Sequence, residues 1–252
     1  MPYLFTTKNN VVIYTILLTF IVLYVIICVR NSLKGTYIMK LTKEELILGI
    51  AHCEEIETAT TNEQHPCYDM VNVQTTKEFH LPEPFNGNIE TAEILFVGSN
   101  PNYDENEHYP TNLWDDKDII SFFENRFRLM PKNKYSRYWN AVIEWAGLIL
   151  NEENEDMILG KIALTEIVHC KSHSDKEISR ICKAHCVEKW LEKVLLLFNG
   201  KYIVIVGGKA KAYKKLIKSI ATDKKVITSN YPLFQRKEVL RDNILKQLYV
   251  DF

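Results

Sequence analysis

Four short apolar runs mark out the second half of the chain: Ile94-Leu95-Phe96-Val97, Ile162 to Val168, Tyr202 to Val206, and Val226-Ile227-Thr228. Each is continuous rather than alternating, and Gly98 closes the first, which is the pattern of parallel strands buried on both faces. Between and after them the apolar positions recur at helical spacing. That predicts helices over Asp118 to Phe127, Arg137 to Leu150, Glu177 to Phe198, Lys209 to Ala221 and Lys237 to Tyr249. Strands alternating with helices define an α/β fold, a three-layer sandwich with a four-stranded parallel sheet between two helical layers. Ahead of it, Met39 to Glu57 reads as a helix capped by Thr42 with Glu45 three residues on, its apolar face drawn from Leu46, Ile47, Ile50 and Ile56. Thr58 to Asn88 is polar and broken by Pro66, Pro82 and Pro84, an irregular connection with one short strand at Met70 to Val73.

The N-terminus follows another pattern. Val11 to Val29 is a run of nineteen uncharged residues. As a helix it would span roughly 28 Å, about one hydrocarbon core. The run therefore predicts a transmembrane helix. A cleaved signal fits less well, since no small-x-small site precedes Arg30. Positive charge lies mainly after the run, at Arg30, Lys34, Lys40 and Lys43, so the following domain is expected in the cytoplasm, anchored to the inner face of the membrane. Met39 also reads as a start, which would make residues 1–38 an upstream extension; both readings stand, and 39–252 is the α/β domain in either.

Composition narrows the class. With 252 residues, 46% apolar, only 9 Gly and 8 Pro, the chain is neither disordered nor collagenous, and its size suits one large core. The near-balance of 31 basic and 32 acidic residues hides an asymmetry: residues 201–246 hold twelve Lys or Arg against three acids. A basic third beside an acidic body suits a face turned to a polyanion, or a pair of solvated lysine-rich helices. Six cysteines, at 28, 53, 67, 170, 182 and 186, include no C-x-x-C pair. A cytosolic setting argues against disulfides. Histidines 52, 169 and 185 directly precede three of them and His65 lies two before Cys67, so the set reads either as a metal site or as buried core thiols.

In open parallel sheets ligands bind beyond the carboxyl ends of the strands. The loops there are Gly98-Ser99-Asn100-Pro101-Asn102-Tyr103-Asp104, Glu166 to Cys170, Gly207-Gly208-Lys209-Ala210 and Ser229-Asn230-Tyr231-Pro232-Leu233. Gly98 allows a tight turn, and Pro101 restricts Asn100 to extended backbone that aims its amide out of the sheet, where it can orient a water. Asp104, or Glu105 beside it, is available as a general base.

Val97-Gly98-Ser99-Asn100-Pro101 resembles the first motif, Gly-x-Asn-Pro, of the uracil-DNA glycosylase superfamily. Leu164 to Cys170 followed by Cys182 is similar to the middle of its iron-sulfur branch, Ile205 to Ala210 to that branch's third strand and turn, and Ser229 to Leu233 stands at the place of the second motif. The resemblance covers roughly residues 94–248. It implies a DNA glycosylase that turns a uracil-like or otherwise modified base out of the stack and hydrolyses its bond to the sugar. In it Asn100 positions the water, Asn230 stabilises the departing base, and Leu233 wedges into the duplex with Tyr231 and Pro232 beside it. Gly98, Ser99, Pro101 and Glu166 line the base pocket, with Tyr109 and Trp114 for stacking. Lys209 and Arg236 belong to the basic third that contacts DNA phosphates. The reaction requires no cofactor. The iron-sulfur branch also implies a cluster, here on Cys53, Cys67, Cys170 and Cys182.

Two departures stand out. Glu166 replaces an asparagine, and a carboxylate accepts only, so it favours an amino-bearing base edge over uracil. Cys53 and Cys67, separated by thirteen residues, replace a C-x-x-C pair. Rival expectations are a catalytically silent nucleic-acid-binding module of the same fold, and a membrane-tethered nucleotide-binding Rossmann-like protein.

Overall fold

The computed structural model describes residues 41–72, 74, 79–129, 136–173, 178–232 and 235–249. The run at 11–29 and Leu233 lie outside them. Among the described residues no helix is long and apolar enough to cross a membrane.

The chain begins with α1 (Lys43–Ala51), closed at its start by the expected capping box: Glu45 N–H donates to Thr42 Oγ1 at 3.2 Å and Thr42 N–H to Glu45 Oε2 at 2.8 Å. The helix ends at His52, short of the predicted Glu57, and α2 (Glu55–Thr61) starts afresh. Next comes α3 (Tyr68–Asn72), where a strand was expected. Met70 and Val71 bury as neighbours on a helical turn. The sheet edge that a strand would have needed is covered by other residues.

Those residues are 80–87, part of the expected irregular connection, and they are buried throughout. Asn86 and Leu164 exchange backbone hydrogen bonds at 2.7 and 2.9 Å, Glu83 N–H donates to the His169 carbonyl at 2.8 Å, and Thr165 Oγ1 donates to the Pro84 carbonyl at 2.8 Å. An edge segment has spare donors on one side only, so Pro82 and Pro84 are tolerated there, and Leu81 and Phe85 join the core.

The strands are β1 (Ile94–Gly98), β2 (Ile162–Glu166), β3 (Tyr202–Val206) and β4 (Lys225–Ser229), all parallel in the order β2-β1-β3-β4. Between β1 and β2 run α4 (Asp116–Leu129), α5 (Arg137–Leu150) and α6 (Glu155–Leu159). Between β2 and β3, α7 (Arg180–Cys186) passes through a π-helical turn at Val187–Leu191 into α8 (Glu192–Leu197). Short helices α9 (Gly208–Lys211) and α10 (Lys214–Ile220) lead to β4, and α11 (Lys237–Tyr249) follows it.

Strand side chains alternate between two cores. Leu95, Val97, Ala163, Ile203 and Ile205 face α1, α4, α8 and α10, while Ile94, Phe96, Ile162, Leu164, Val204 and Ile227 face α5, α6 and α11. That is the expected three-layer sandwich. The chain steps outward from β1 to β2 and then crosses back to β3, so the ends of β1 and β3 mark the reversal where α/β sheets hold ligands.

Candidate functional site

Register puts Gly98 level with Glu166, and Val206 level with Ser229. Asn100 and Asn230 therefore leave the same rim of the sheet, two strand spacings or roughly 9.5 Å apart across β3. Both are half-buried.

The Asn100 amide is held at both ends. Its Nδ2 donates to Ser172 Oγ at 2.8 Å and to the Pro101 carbonyl at 3.2 Å, and its Oδ1 accepts from Ser99 Oγ at 3.2 Å. Both N–H bonds are committed to protein, so the atom left to meet a ligand is Oδ1, which keeps a second lone pair. Ser172, which the sequence did not single out, is the anchor. Pairing continues past the strand ends, where Val168 N–H donates to the Ser99 carbonyl and Ser172 N–H to that of Pro101.

Glu166 is buried and its carboxylate lies across the backbone of Gly98: a Cβ at position 98 would overlap it. The glycine makes room for the acid. Within electrostatic reach of Glu166 is Tyr138, at the start of α5, whose hydroxyl is out of water with no hydrogen-bond partner among the described residues. Burial, then the charges of Glu166, Tyr231 and Glu83, push that phenol well above its ordinary pKa. Tyr231 stacks on Tyr138 with ring centroids 5.6 Å apart. Tyr138 thus joins the loop after β4 to the end of β2.

Asn230 accepts a hydrogen bond at Oδ1 from Lys211 Nζ. Burial, then the charge of Lys214, lowers the pKa of that ammonium. Pro232 is buried at a cleft of about 130 Å³ shared with Arg137, Glu144 and Lys237. Lys209 and Arg236 are exposed.

Tyr109, Trp114 and Asp104 each meet neighbours that the sequence did not indicate. Tyr109, chosen as a stacking platform, is core: its ring carries Lys171 Nζ 3.5 Å from its centroid, His80 stacked at 5.2 Å, and the edges of Phe122 and Phe123. No face is left for a base. Trp114, half-buried, packs on Phe122 and His108. Asp104 is exposed and accepts from the Asn106 backbone at 2.9 Å, so one of its oxygens holds its own turn.

Around Tyr109 lies a charged cluster that sequence reasoning missed. Glu107 pairs with both Lys171 and Arg126, and Tyr109 OH donates to Glu83 Oε2 at 3.1 Å while Asn86 Nδ2 donates to Glu83 Oε1 at 2.6 Å. Burial alone would raise the Glu107 carboxyl; the charges of Arg126 and Lys171 outweigh it and hold the pKa below its usual range. His169, whose Nδ1 bonds the Glu83 carbonyl at 2.7 Å, is driven down to about 4 by burial and stays neutral. Its uncharged ring suits a closed core. Nothing in the spacing of Glu83, Glu107 and Arg126 announces that they meet.

The five cysteines among the described residues converge, while Cys28 lies outside those residues. Cys53, Cys67, Cys170, Cys182 and Cys186 line one cavity of about 20 Å³. Cys182 and Cys67 touch, Sγ to Sγ 3.8 Å. Burial pushes the Cys170 thiol well up, with the charges of Cys186, Cys67 and Cys53 adding to the rise; burial likewise takes Cys186 up to about 12. A second group beside it joins Glu55, His65 and His185. Lys189 holds the Glu55 carboxyl down to about 2. His65 Nδ1 accepts the Cys67 N–H at 3.1 Å, which leaves Nε2 to donate to Glu55 Oε2 at 3.0 Å. With the His65 ring and the Lys189 ammonium already bonded to the ionised carboxylate, this trio is a hydrogen-bonded clasp and ill-suited to a cation.

No known family model matches this chain, and no curated protein matches it either.

Proposed function

We propose that the protein hydrolyses the bond between a modified base and its sugar in DNA, acting on a base turned out of the stack. The observation that supports this most is the meeting of strand-end groups through Tyr138: Glu166 and Gly98 on one side and the Tyr231 loop on the other. Asn100 Oδ1 accepts a hydrogen bond from the hydrolytic water and aims its oxygen at the sugar C1′, and as that oxygen bonds to C1′ the Asp104 carboxylate takes the proton it releases. As the C1′–N bond breaks, its electron pair stays on the base. Asn230, with Lys211 behind it, offsets that charge. Glu166 faces the base edge and favours a base with an exocyclic amine. Ser99 and Pro101 shape the turn, and Lys209 and Arg236 meet phosphates.

The test is release of base, read as alkali-labile sites in oligonucleotides carrying uracil, hypoxanthine, xanthine or thymine mismatches, with Asn100→Ala as the control. Cleavage by the unaltered chain that Asn100→Ala loses is the expected result. Equal cleavage by both refutes the role of Asn100. Salt-sensitive DNA binding without release from any substrate supports a second reading, a silent binding module, which the buried carboxylate of Glu166 in a base-reading position favours.

The resemblance also implies an iron-sulfur cluster, and the donor set fits one. Five sulfurs from α1's end, the turn before α3, the end of β2 and α7 line one cavity. Cys53, Cys67 and Cys170 would hold the group with a fourth thiolate from α7. When bound it supplies iron–thiolate bonds that tie these segments together; the hydrolytic residues act without it.

A further inference from the structure

We infer that Lys211 gives the protein a second activity at the same rim: its amine condenses with the C1′ aldehyde of the sugar that base release leaves behind, and the strand is then cut there by β-elimination. The inference rests on the proposed base release for its site, though its test does not. In the order β2-β1-β3-β4, strand β3 stands between β1, which leads to Asn100, and β4, which leads to Asn230. Lys211 closes α9, the short helix that follows β3, so it leaves the rim between the two asparagines. Backbone contacts fix the turn that carries it. Gly207 N–H donates to the Ser229 carbonyl at 2.9 Å, Lys211 N–H donates to the Gly207 carbonyl at 3.1 Å, and Gly207 takes φ +86°, which a residue without a side chain adopts at little cost. Lys211 Nζ donates to Asn230 Oδ1, the amide set against the leaving base. Departure of the base empties the space before that amide and leaves this amine beside the sugar.

An amine attacks only when uncharged, so its partners decide whether it can. Lys171 is 1% exposed and pairs with Glu107 over the Tyr109 ring, an ammonium sealed in the core. Lys43 and Lys189 are likewise bound to carboxylates. Lys211 is half-buried, and among the described residues it pairs with no carboxylate; its partner is an uncharged amide and its charged neighbour is Lys214. Partial burial and a second cation close by are the two circumstances that turn a lysine into a nucleophile. The steps balance without a further reagent. The Nζ lone pair adds to C1′ of the open-chain aldehyde and water leaves, giving an imine. Water takes the C2′ proton, the freed C–H electron pair forms a C2′–C3′ double bond, and the C3′–O bond breaks, its electrons departing with the phosphate. Hydrolysis of the imine returns Lys211.

The experiment offers the full chain an oligonucleotide duplex with a ready-made abasic site, so that no base need be released, and adds sodium borohydride, which reduces the imine to a stable amine. The unaltered protein is expected to form a covalent adduct with the DNA, to nick the strand without alkali, and to carry the adduct on Lys211 when its peptides are mapped by mass. Lys211→Arg keeps a positive charge but cannot give up its proton, and is expected to lose both adduct and nicking. Lys201→Arg, at an exposed position at the opposite end of β3, is expected to retain both. No adduct from the unaltered chain, an adduct mapped to another amine, or a full adduct in Lys211→Arg each overturns the assignment. Should Lys211→Arg not fold, the mapped position in the unaltered chain decides. Trapping at Lys211 without release of any base removes the hydrolase reading alone, and release without trapping removes this inference alone.

Discussion

Gly98 and Glu166 act as one unit, because the carboxylate occupies the volume that any side chain at position 98 would need. Gly98→Ala is expected to leave the fold standing but displace the acid, so base release should fall more than the melting temperature does. Glu166→Gln keeps the shape and adds an N–H donor. Relative release from uracil against an amino-bearing base should shift toward uracil by about 10-fold, the size of one exchanged hydrogen bond to a charged group; an unchanged ratio removes Glu166 from base reading. Glu107 is the residue on which the hidden charge cluster depends. Glu107→Ala strands Lys171, whose side chain is 1% exposed, and Arg126 beside it. Breaking a buried pair in this way costs about 3–5 kcal/mol, a loss that denaturant unfolding would register. None of these partners is visible from spacing alone: Glu107 lies 64 residues before Lys171, and only packing decides that they touch.

At the scale of elements, local rules account for what they govern. Thr42 and Glu45 announce the start of α1, and Arg137–Leu150 and Lys237–Tyr249 form where the periodicity places them. Rules failed where tertiary contact overrides them. Residues 80–87 read as irregular because they carry two prolines, a glutamate and an asparagine; they bury because the outer edge of β2 offers backbone partners and the core accepts Phe85. Gly87 sits in that segment at φ +83°, and a Cβ there would press on the Ile162 carbonyl and the Phe127 ring. Gly87→Ala should therefore cost at least ~1 kcal/mol from backbone strain alone, measurable as a lower unfolding midpoint. A small effect would mean that the edge segment contributes little.

For the whole molecule, two quantities follow from where charge lies. Glu107 has a folded pKa below its usual value, so its contribution to stability is complete above the ordinary carboxylate range near pH ~4 and is lost as pH falls through the folded value. Acid titration followed by dichroism should show unfolding below about pH 4, at a higher pH and with a shallower slope in Glu107→Gln. Lys209, Lys215, Lys218, Arg236 and Arg241 are exposed, and on the proposed reading they predict a DNA affinity that depends on salt. If three phosphates are neutralised, a fourfold rise in salt weakens binding roughly 40-fold; affinity indifferent to salt would dissociate the basic third from DNA.

The four buried parallel strands, the helices that alternate with them and the cap at Thr42 were settled by the sequence, since each depends on periodicity within a few neighbouring residues. The tertiary structure alone decided which sulfurs share a cavity, that Tyr138 joins the β4 loop to Glu166, that Tyr109 is walled in, and that Glu107 holds two buried cations. Those are contacts between residues tens of positions apart, and no local pattern encodes them because their energy exists only once the layers have packed.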